Sequence, residues 1–183
     1  MGTLVVLNGS HRRHGVTTRC LQVVAERLAR QRGLEIVSIF ISNNMHSCVN
    51  CYPQPCVEGC RFTYPKEPDN FAEIVAAIRD ADCVLIGTPV YLDMPTNKVV
   101  ALLSRLNCMA EPTKREFFRG KKVFLHANAL VSGTKAVIGS MRGACEMLGF
   151  DVEGRSSTEY IERWSDRKIR GGMTGTDPIC VPE

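Results

Sequence analysis

The chain has 183 residues, 44% hydrophobic and 23% charged, with a formal net charge of +4. That size and balance describe one soluble domain, long enough to bury a core without staples. The charge is mild and the basic residues are scattered except at His11-Arg12-Arg13-His14, which argues against a nucleic-acid partner.

No apolar run approaches the roughly 20 residues that span a bilayer, so no membrane association is expected. The N-terminus lacks a charged leader and runs directly into a buried-strand pattern, so it does not read as a signal peptide. A cytoplasmic location follows as the expectation. Disulfides are rare there, and the nine cysteines then point to metal, cluster or redox use.

In chain order, Thr3 to Leu7 reads as a strand buried on both faces and is broken by Asn8-Gly9-Ser10. Thr17 to Arg32 has helical spacing, with Leu21, Val24, Ala25 and Leu28 on one face and Gly33 as its stop. Leu34 to Ile41 is a second strand. Residues 43–68 are polar, proline-bearing and cysteine-rich, a loop of the length that is usually functional. Asp69 is the expected N-cap of a helix from Asn70 to Asp80. Cys83 to Ile86 is a third strand, ending in Gly87-Thr88-Pro89-Val90-Tyr91, and a helix follows from Thr96 to Leu106. Val123 to His126 is a fourth strand, Ser132 to Leu148 a helix closed by Gly149, and Phe150-Asp151-Val152 begins a fifth strand. Residues 158–183 read as a tail.

Alternating strands and helices predict a parallel sheet covered on both faces. The fold class expected is a flavodoxin-like α/β three-layer sandwich, one domain over residues 1–183. Its five parallel strands would run in order 2-1-3-4-5, with residues 43–68 inserted after the second. Ligands bind such a sheet beyond the carboxyl ends of the first and third strands.

Two loops meet there. In the first, backbone N–H groups at a helix start, the hydroxyls of Ser10, Thr17 and Thr18, and Arg12 suit a phosphate. It has neither the Walker ending nor the G-x-G-x-x-G pattern, and by itself it also reads as an ordinary polar turn before a capped helix. The second loop is Gly87 to Tyr91. Together they resemble the NAD(P)H-dependent FMN reductase family. Gly9, Ser10, Arg12, Gly15 and Thr17 match its first motif; Gly87, Thr88, Pro89, Tyr91, Lys98 and Arg105 match its second, and the likeness covers about residues 3 to 155. Leu92 stands where many relatives carry an aromatic residue, and Ser104 replaces an acid that often precedes the arginine. The resemblance implies FMN, with its phosphate on Ser10, Arg12, Gly15, Thr17 and Thr18. Its ring would lie against Thr88, Pro89, Val90 and Tyr91, near the backbone N–H groups of the last two. It also implies NAD(P)H as donor and a homodimer or homotetramer.

Cys48, Cys51, Cys56 and Cys60 lie within thirteen residues. Iron–sulfur flavoproteins, relatives of these reductases, carry four cysteines at the same place, spaced Cys-x2-Cys-x2-Cys-x4–7-Cys. Here the spacing is Cys-x2-Cys-x4-Cys-x3-Cys, the third cysteine being displaced beyond Pro53 and Pro55. The resemblance implies a [4Fe-4S] cluster on these thiolates. Zinc is the rival, although structural zinc sites generally use two separated knuckles. His46 is a further possible ligand. Cys20, Cys83, Cys108 and Cys145 read as small hydrophobes on or beside regular elements, Cys180 lies in the tail, and Tyr160 and Trp164 suit a tail anchor or a dimer contact.

Three functions are open on these residues. The first is an iron–sulfur flavoprotein relaying electrons between cluster and FMN, with a ferredoxin-like protein or NAD(P)H as partner. The second is an NAD(P)H-dependent flavin or quinone reductase whose cysteines bind zinc or stay free. The third is a non-catalytic redox or metal sensor. No protein acid or base is required by the first, and none is named.

Overall fold

In the computed structural model the described residues are 2–49, 68–107, 118–159 and 181–182. Each long strand but the last is followed by a helix that carries the chain back, so the long strands run parallel. In chain order the elements are β1 (Gly2–Asn8), α1 (Val16–Arg32), β2 (Leu34–Phe40), α2 (Phe71–Asp80), β3 (Cys83–Tyr91), β4 (Met94–Pro95), α3 (Asn97–Asn107), β5 (Lys122–Ala129), α4 (Thr134–Leu148), β6 (Asp151–Glu159) and β7 (Val181–Pro182).

The expected five-strand sheet is corrected. Among the described residues seven strands pair, in order β2-β1-β3-β5-β6-β7, with β4 joined to β3. The five long strands are parallel, while β4 and β7 are short antiparallel additions. β7 comes from the stretch read as a tail. The third strand is also longer than expected. Its pairing with β1 stops at Asn8↔Gly87, but β5 continues beside it to Pro89↔Asn128. Pro89, which has no N–H to donate, therefore sits where β1 has ended. Val90 and Tyr91 then fold back on Pro95 and Met94 through a two-residue turn. Leu92 and Asp93 make that turn with φ of 51° and 57°, the paired positive values of a tight hairpin.

Alternate side chains of each strand reach opposite faces. Leu4, Val6 and Leu85 pack with Leu21, Ala25 and Ala29 of α1. Val5, Leu7, Val84 and Ile86 join Phe71, Ile74 and Ile78 of α2, Leu102 and Leu106 of α3, and Val137 and Met141 of α4. Among the described residues one helix thus covers one face and three cover the other. Gly33 and Gly149 stop α1 and α4 in the left-handed conformation, each donating its N–H to the preceding turn. Asn70, not Asp69, is the N-cap position of α2. Its side chain instead bonds Phe40 O and Ser42 N, while Asp69 Oδ1 accepts Phe71 N–H at 3.1 Å.

Cys20, Cys83 and Cys145 are buried. Burial pushes the thiols of Cys83 and Cys145 up to about 11 and about 12, so both stay protonated and act as apolar filler. No helix among the described residues is long and apolar enough to cross a membrane.

β1 and β3 are locked at their carboxyl ends by Gly9 N–H donating to Gly87 O at 2.7 Å. A Cβ on Gly87 would lie 2.1 Å from Leu21 Cδ1, and one on Gly9 2.4 Å from Val99 Cγ2. Gly87→Ala is expected to lower stability by about 1–3 kcal/mol, the usual range for overpacking, read as a lower urea midpoint with an unchanged m-value.

His126 of β5 is fully buried, with Nδ1 2.8 Å from Ser156 Oγ and Nε2 without a partner among the described residues. Burial holds its pKa down at about 4, against a modest opposing effect of Ser156. Between that value and the ordinary histidine range near 6.5, the unfolded chain binds a proton that the folded chain does not. The contribution is therefore complete above pH 6.5 and is lost as pH falls toward 4. It amounts to about 3 kcal/mol across that window. Chemical denaturation at stepped pH is expected to show a shallower acid loss for His126→Asn than for the parent.

Candidate FMN site

The carboxyl ends of β1 and β3 carry the two loops. In the first, Ser10 N–H donates to Asn8 Oδ1 at 2.9 Å, and Ser10 Oγ bonds both the N–H and the carbonyl of Arg12 at 3.1 Å. Thr18 Oγ1 donates to Arg12 O at 2.9 Å and accepts from Asn8 Nδ2 at 3.1 Å. Gly15 N–H closes on Arg12 O at 3.3 Å. The carbonyl of Arg12 is thus the hub of the loop, while its guanidinium lies on an exposed side chain.

The hydroxyls expected to meet a phosphate are largely occupied in shaping its loop. Thr17 is buried and donates to Asn128 Oδ1 of β5 at 3.0 Å, tying α1 to the sheet. Thr88, fully buried, donates to Pro89 O at 2.9 Å and accepts Thr96 N–H at 3.0 Å. Thr96 Oγ1 returns to Gly9 O at 3.0 Å, stitching the two loops together. For an anion there remain the exposed Arg12 and Arg13 and the start of α1. Gly15 supplies no side-chain cap there and the first turn holds no acid. An uncapped, acid-free helix start favours negative charge.

On the second loop, Val90 is half-buried and Tyr91 is 56% exposed, beside Leu92 at 91% and Met94 at 59%. Gly133, before α4, has φ of 97°, and a Cβ there would lie 2.1 Å from Asp93 Oδ1. The hairpin tip is therefore braced against the start of α4.

These elements fit FMN by shape and donor set. Glycines at 9 and 87 bring two strand ends into contact, a basic uncapped helix start lies above one strand, and an exposed aromatic hairpin extends the other. A family model described as NADPH-dependent FMN reductase matches residues 3–156. The chain belongs to that family. It is a family of flavin-dependent oxidoreductases.

No functionally curated protein matches this FMN reductase homologue significantly. Solved structures similar to it include RosB with the bound intermediate 8-demethyl-8-formylriboflavin-5′-phosphate, at 22% identity and TM-score 0.68, covering 87% of this chain and 65% of that one. The Trp repressor binding protein of Bacillus subtilis matches at 17% identity and TM-score 0.60, over 86% of each chain. The azoreductase of Bacillus anthracis str. Sterne matches at 12% and 0.61, over 87% of each. At these identities the likeness is one of fold, and this chain spans about two thirds of RosB's length.

Of the four cysteines, Cys48 is half-buried and its N–H donates to Ser104 Oγ at 3.2 Å. Cys51, Cys56 and Cys60 lie outside the described residues, as do Cys108, Cys180, Tyr160 and Trp164. Among the described residues no group of three or more His, Cys, Asp or Glu side chains is placed to hold a metal ion. His46 donates its backbone N–H to Asp69 Oδ2 at 3.2 Å.

Both ends of the cysteine segment are held at α3. Asp69 forms a buried ion pair with Arg105, whose guanidinium lies 3.9 Å over the Phe71 ring. Asn44 Nδ2 bonds Pro68 O at 3.1 Å, closing the segment's base. Sequence reasoning matched Arg105 to a family motif without this partner, and it passed over Asn8, Asn43, Thr96 and Asn128. Isolated Asn and Thr residues at strand ends carry no periodic signal. The one clue was an ionisable Lys98 and Arg105 on the apolar helix of α3.

Removing one member of a buried pair strands the other's charge. Arg105→Met is expected to lower stability by about 3–5 kcal/mol. Asp69→Asn with Arg105→Met is expected to cost less than the sum of the single changes, as urea titration of all four proteins checks.

Proposed function

We propose that this chain binds FMN at the joined ends of β1 and β3 and works as an oxidoreductase drawing on NAD(P)H. The observation that carries the reading is the junction of Gly9 with Gly87, which leaves a basic, uncapped helix start and an exposed hairpin at one edge of the sheet. Arg12 and the backbone N–H groups at the start of α1, from Val16 to Thr18, would hold the phosphate, with Ser10 shaping the loop and Gly15 leaving the helix start open. Thr17 and Thr88 would act by shaping the loops, and Pro89, Val90 and Tyr91 would line the ring. FMN supplies the capacity to accept one or two electrons, so it joins one-electron to two-electron partners. The protein's part is to hold the phosphate by charge and backbone dipoles, to present Val90 and Tyr91 to the ring, and to limit solvent on one side.

We further propose that Cys48, Cys51, Cys56 and Cys60 hold a [4Fe-4S] cluster that exchanges electrons with FMN, with a ferredoxin-like protein as a second donor or acceptor. Supporting it, the first cysteine is rooted by Ser104 on the same helix that carries Lys98 beneath the phosphate loop. Six residues of helix rise separate those two attachment points, about 9 Å along its axis. The half-exposed Tyr91, Met94, Leu130 and Val131, with the exposed Leu92, support pairing of subunits at this edge as a homodimer or homotetramer. One domain of 183 residues, in the cytoplasm, completes the reading.

Iron, sulfide, zinc and flavin per chain, measured after anaerobic purification and reconstitution, test it. About four irons and four sulfides with one FMN are expected for a cubane cluster. A variant with the four cysteines changed to serine is expected to lose the iron and keep the FMN. Zinc in place of iron would leave a flavin reductase with a structural metal, and absence of FMN would overturn the whole reading.

A further inference from the structure

A charge sits beneath the phosphate loop, already fully engaged by protein. Lys98, near the start of α3, is 1% exposed. Its ammonium donates to Ser10 O at 2.8 Å, Ile41 O at 2.9 Å and Asn43 Oδ1 at 3.0 Å. An ammonium has three protons, and all three are used. Asn43 Oδ1 also lies 3.3 Å from His11 Nδ1. One buried cation therefore gathers the first carbonyl of the phosphate loop and the chain leaving β2, and through Asn43 it reaches the outer part of the same loop.

With its protons committed, Lys98 has none left for a ligand. Its effect must pass through the groups it holds. Ser10 O points inward to the ammonium, and the peptide plane it shares with His11 turns the His11 N–H the other way, while Asn43 Oδ1 ties the chain leaving β2 to the same charge. We propose that Lys98 is a positioning residue that sets the phosphate loop in its anion-binding shape, and that this shape depends on the ammonium being protonated. The proposal rests on the FMN reading and adds a residue to it that touches no part of the cofactor.

The groups facing Lys98 are Arg13 and His11 of the phosphate loop. Its own helical turn, Val99 to Leu102, and the end of β2, Phe40 and Ile41, contribute none that titrates. Burial lowers its pKa to about 8, and Arg13 acts in the same direction. The neutral amine has two protons for three acceptors, so as pH rises through this range one carbonyl or amide oxygen loses its donor. The consequence is a loop that binds phosphate less well in mild alkali, in a range where the flavin phosphate is already dianionic.

The experiment is flavin affinity, by fluorescence quenching, from pH 7 to 9.5, for FMN and for riboflavin, which lacks the phosphate. For the parent protein, FMN affinity is expected to fall severalfold above pH 8 while riboflavin affinity stays level. Lys98→Met is expected to weaken FMN on the order of tenfold at pH 7, as for loss of charged hydrogen bonds, and to abolish the alkaline fall. Lys98→Arg keeps its charge throughout this range, so the folded variant is expected to bind FMN with no alkaline fall. Asn43→Asp, which places a carboxylate against the ammonium, is expected to move the fall to higher pH. A level FMN profile in the parent, a fall that persists in Lys98→Arg, or an equal fall with riboflavin would each overturn the proposal. Failure of the parent to bind FMN at pH 7 is a different result and overturns the FMN reading itself.

Discussion

Everything at the carboxyl edge of the sheet depends on the contact between Gly9 and Gly87. Their backbones approach to 2.7 Å at the point where β1 ends, with Leu21 pressed on one glycine and Val99 on the other. A side chain at either position would push β1 from β3, or α1 or α3 from the sheet. Because neither has one, both loops leave the sheet at one point and the helices on its two faces close over the same junction.

Around this junction the polar groups work on the backbone. Thr88, Thr96, Ser10, Thr18 and Asn8 spend their hydrogen bonds on one another and on carbonyls, and Thr17 joins Asn128 across the sheet. Buried polar atoms require partners, and here satisfying them dictates the loop conformation. The exposed charge of the loop is left to Arg12 and Arg13. Helix α3 serves as a common anchor: Lys98 gathers the phosphate loop, Ser104 takes the N–H of Cys48, and Arg105 pairs with Asp69 where the cysteine segment returns. The serine that departs from the family pattern before the arginine thus has a partner in the cysteine that begins the cluster motif.

The arrangement of strands and helices was legible because it rests on local pattern. Leu4 and Val6 against Val5 and Leu7 alternate as a doubly covered strand must, and Leu21, Ala25 and Ala29 repeat as a buried helical face must. Gly33 and Gly149 announced their helix ends for the same local reason. The extension of β3 to Tyr91 and the hairpin with β4 were not legible. The strand continues only because β5 runs beside it past the end of β1, and Leu92 and Asp93 accept positive φ only because the hairpin and Gly133 hold them. Likewise Asp69 suggested a helix cap, but it also holds Arg105, an attachment set by a helix thirty-six residues away.

By itself the sequence determined the α/β alternation, the two motif loops, the family and the placing of four cysteines between β2 and α2. Those properties depend on residue type and short spacing, which one strand or one turn expresses alone. Only the tertiary structure decided which polar groups stay exposed at the strand ends and which are engaged by the protein. A hydroxyl or an ammonium takes the partner that burial and distance provide, and for Thr17, Thr96, Lys98 and Arg105 that partner lies dozens of residues away in the chain.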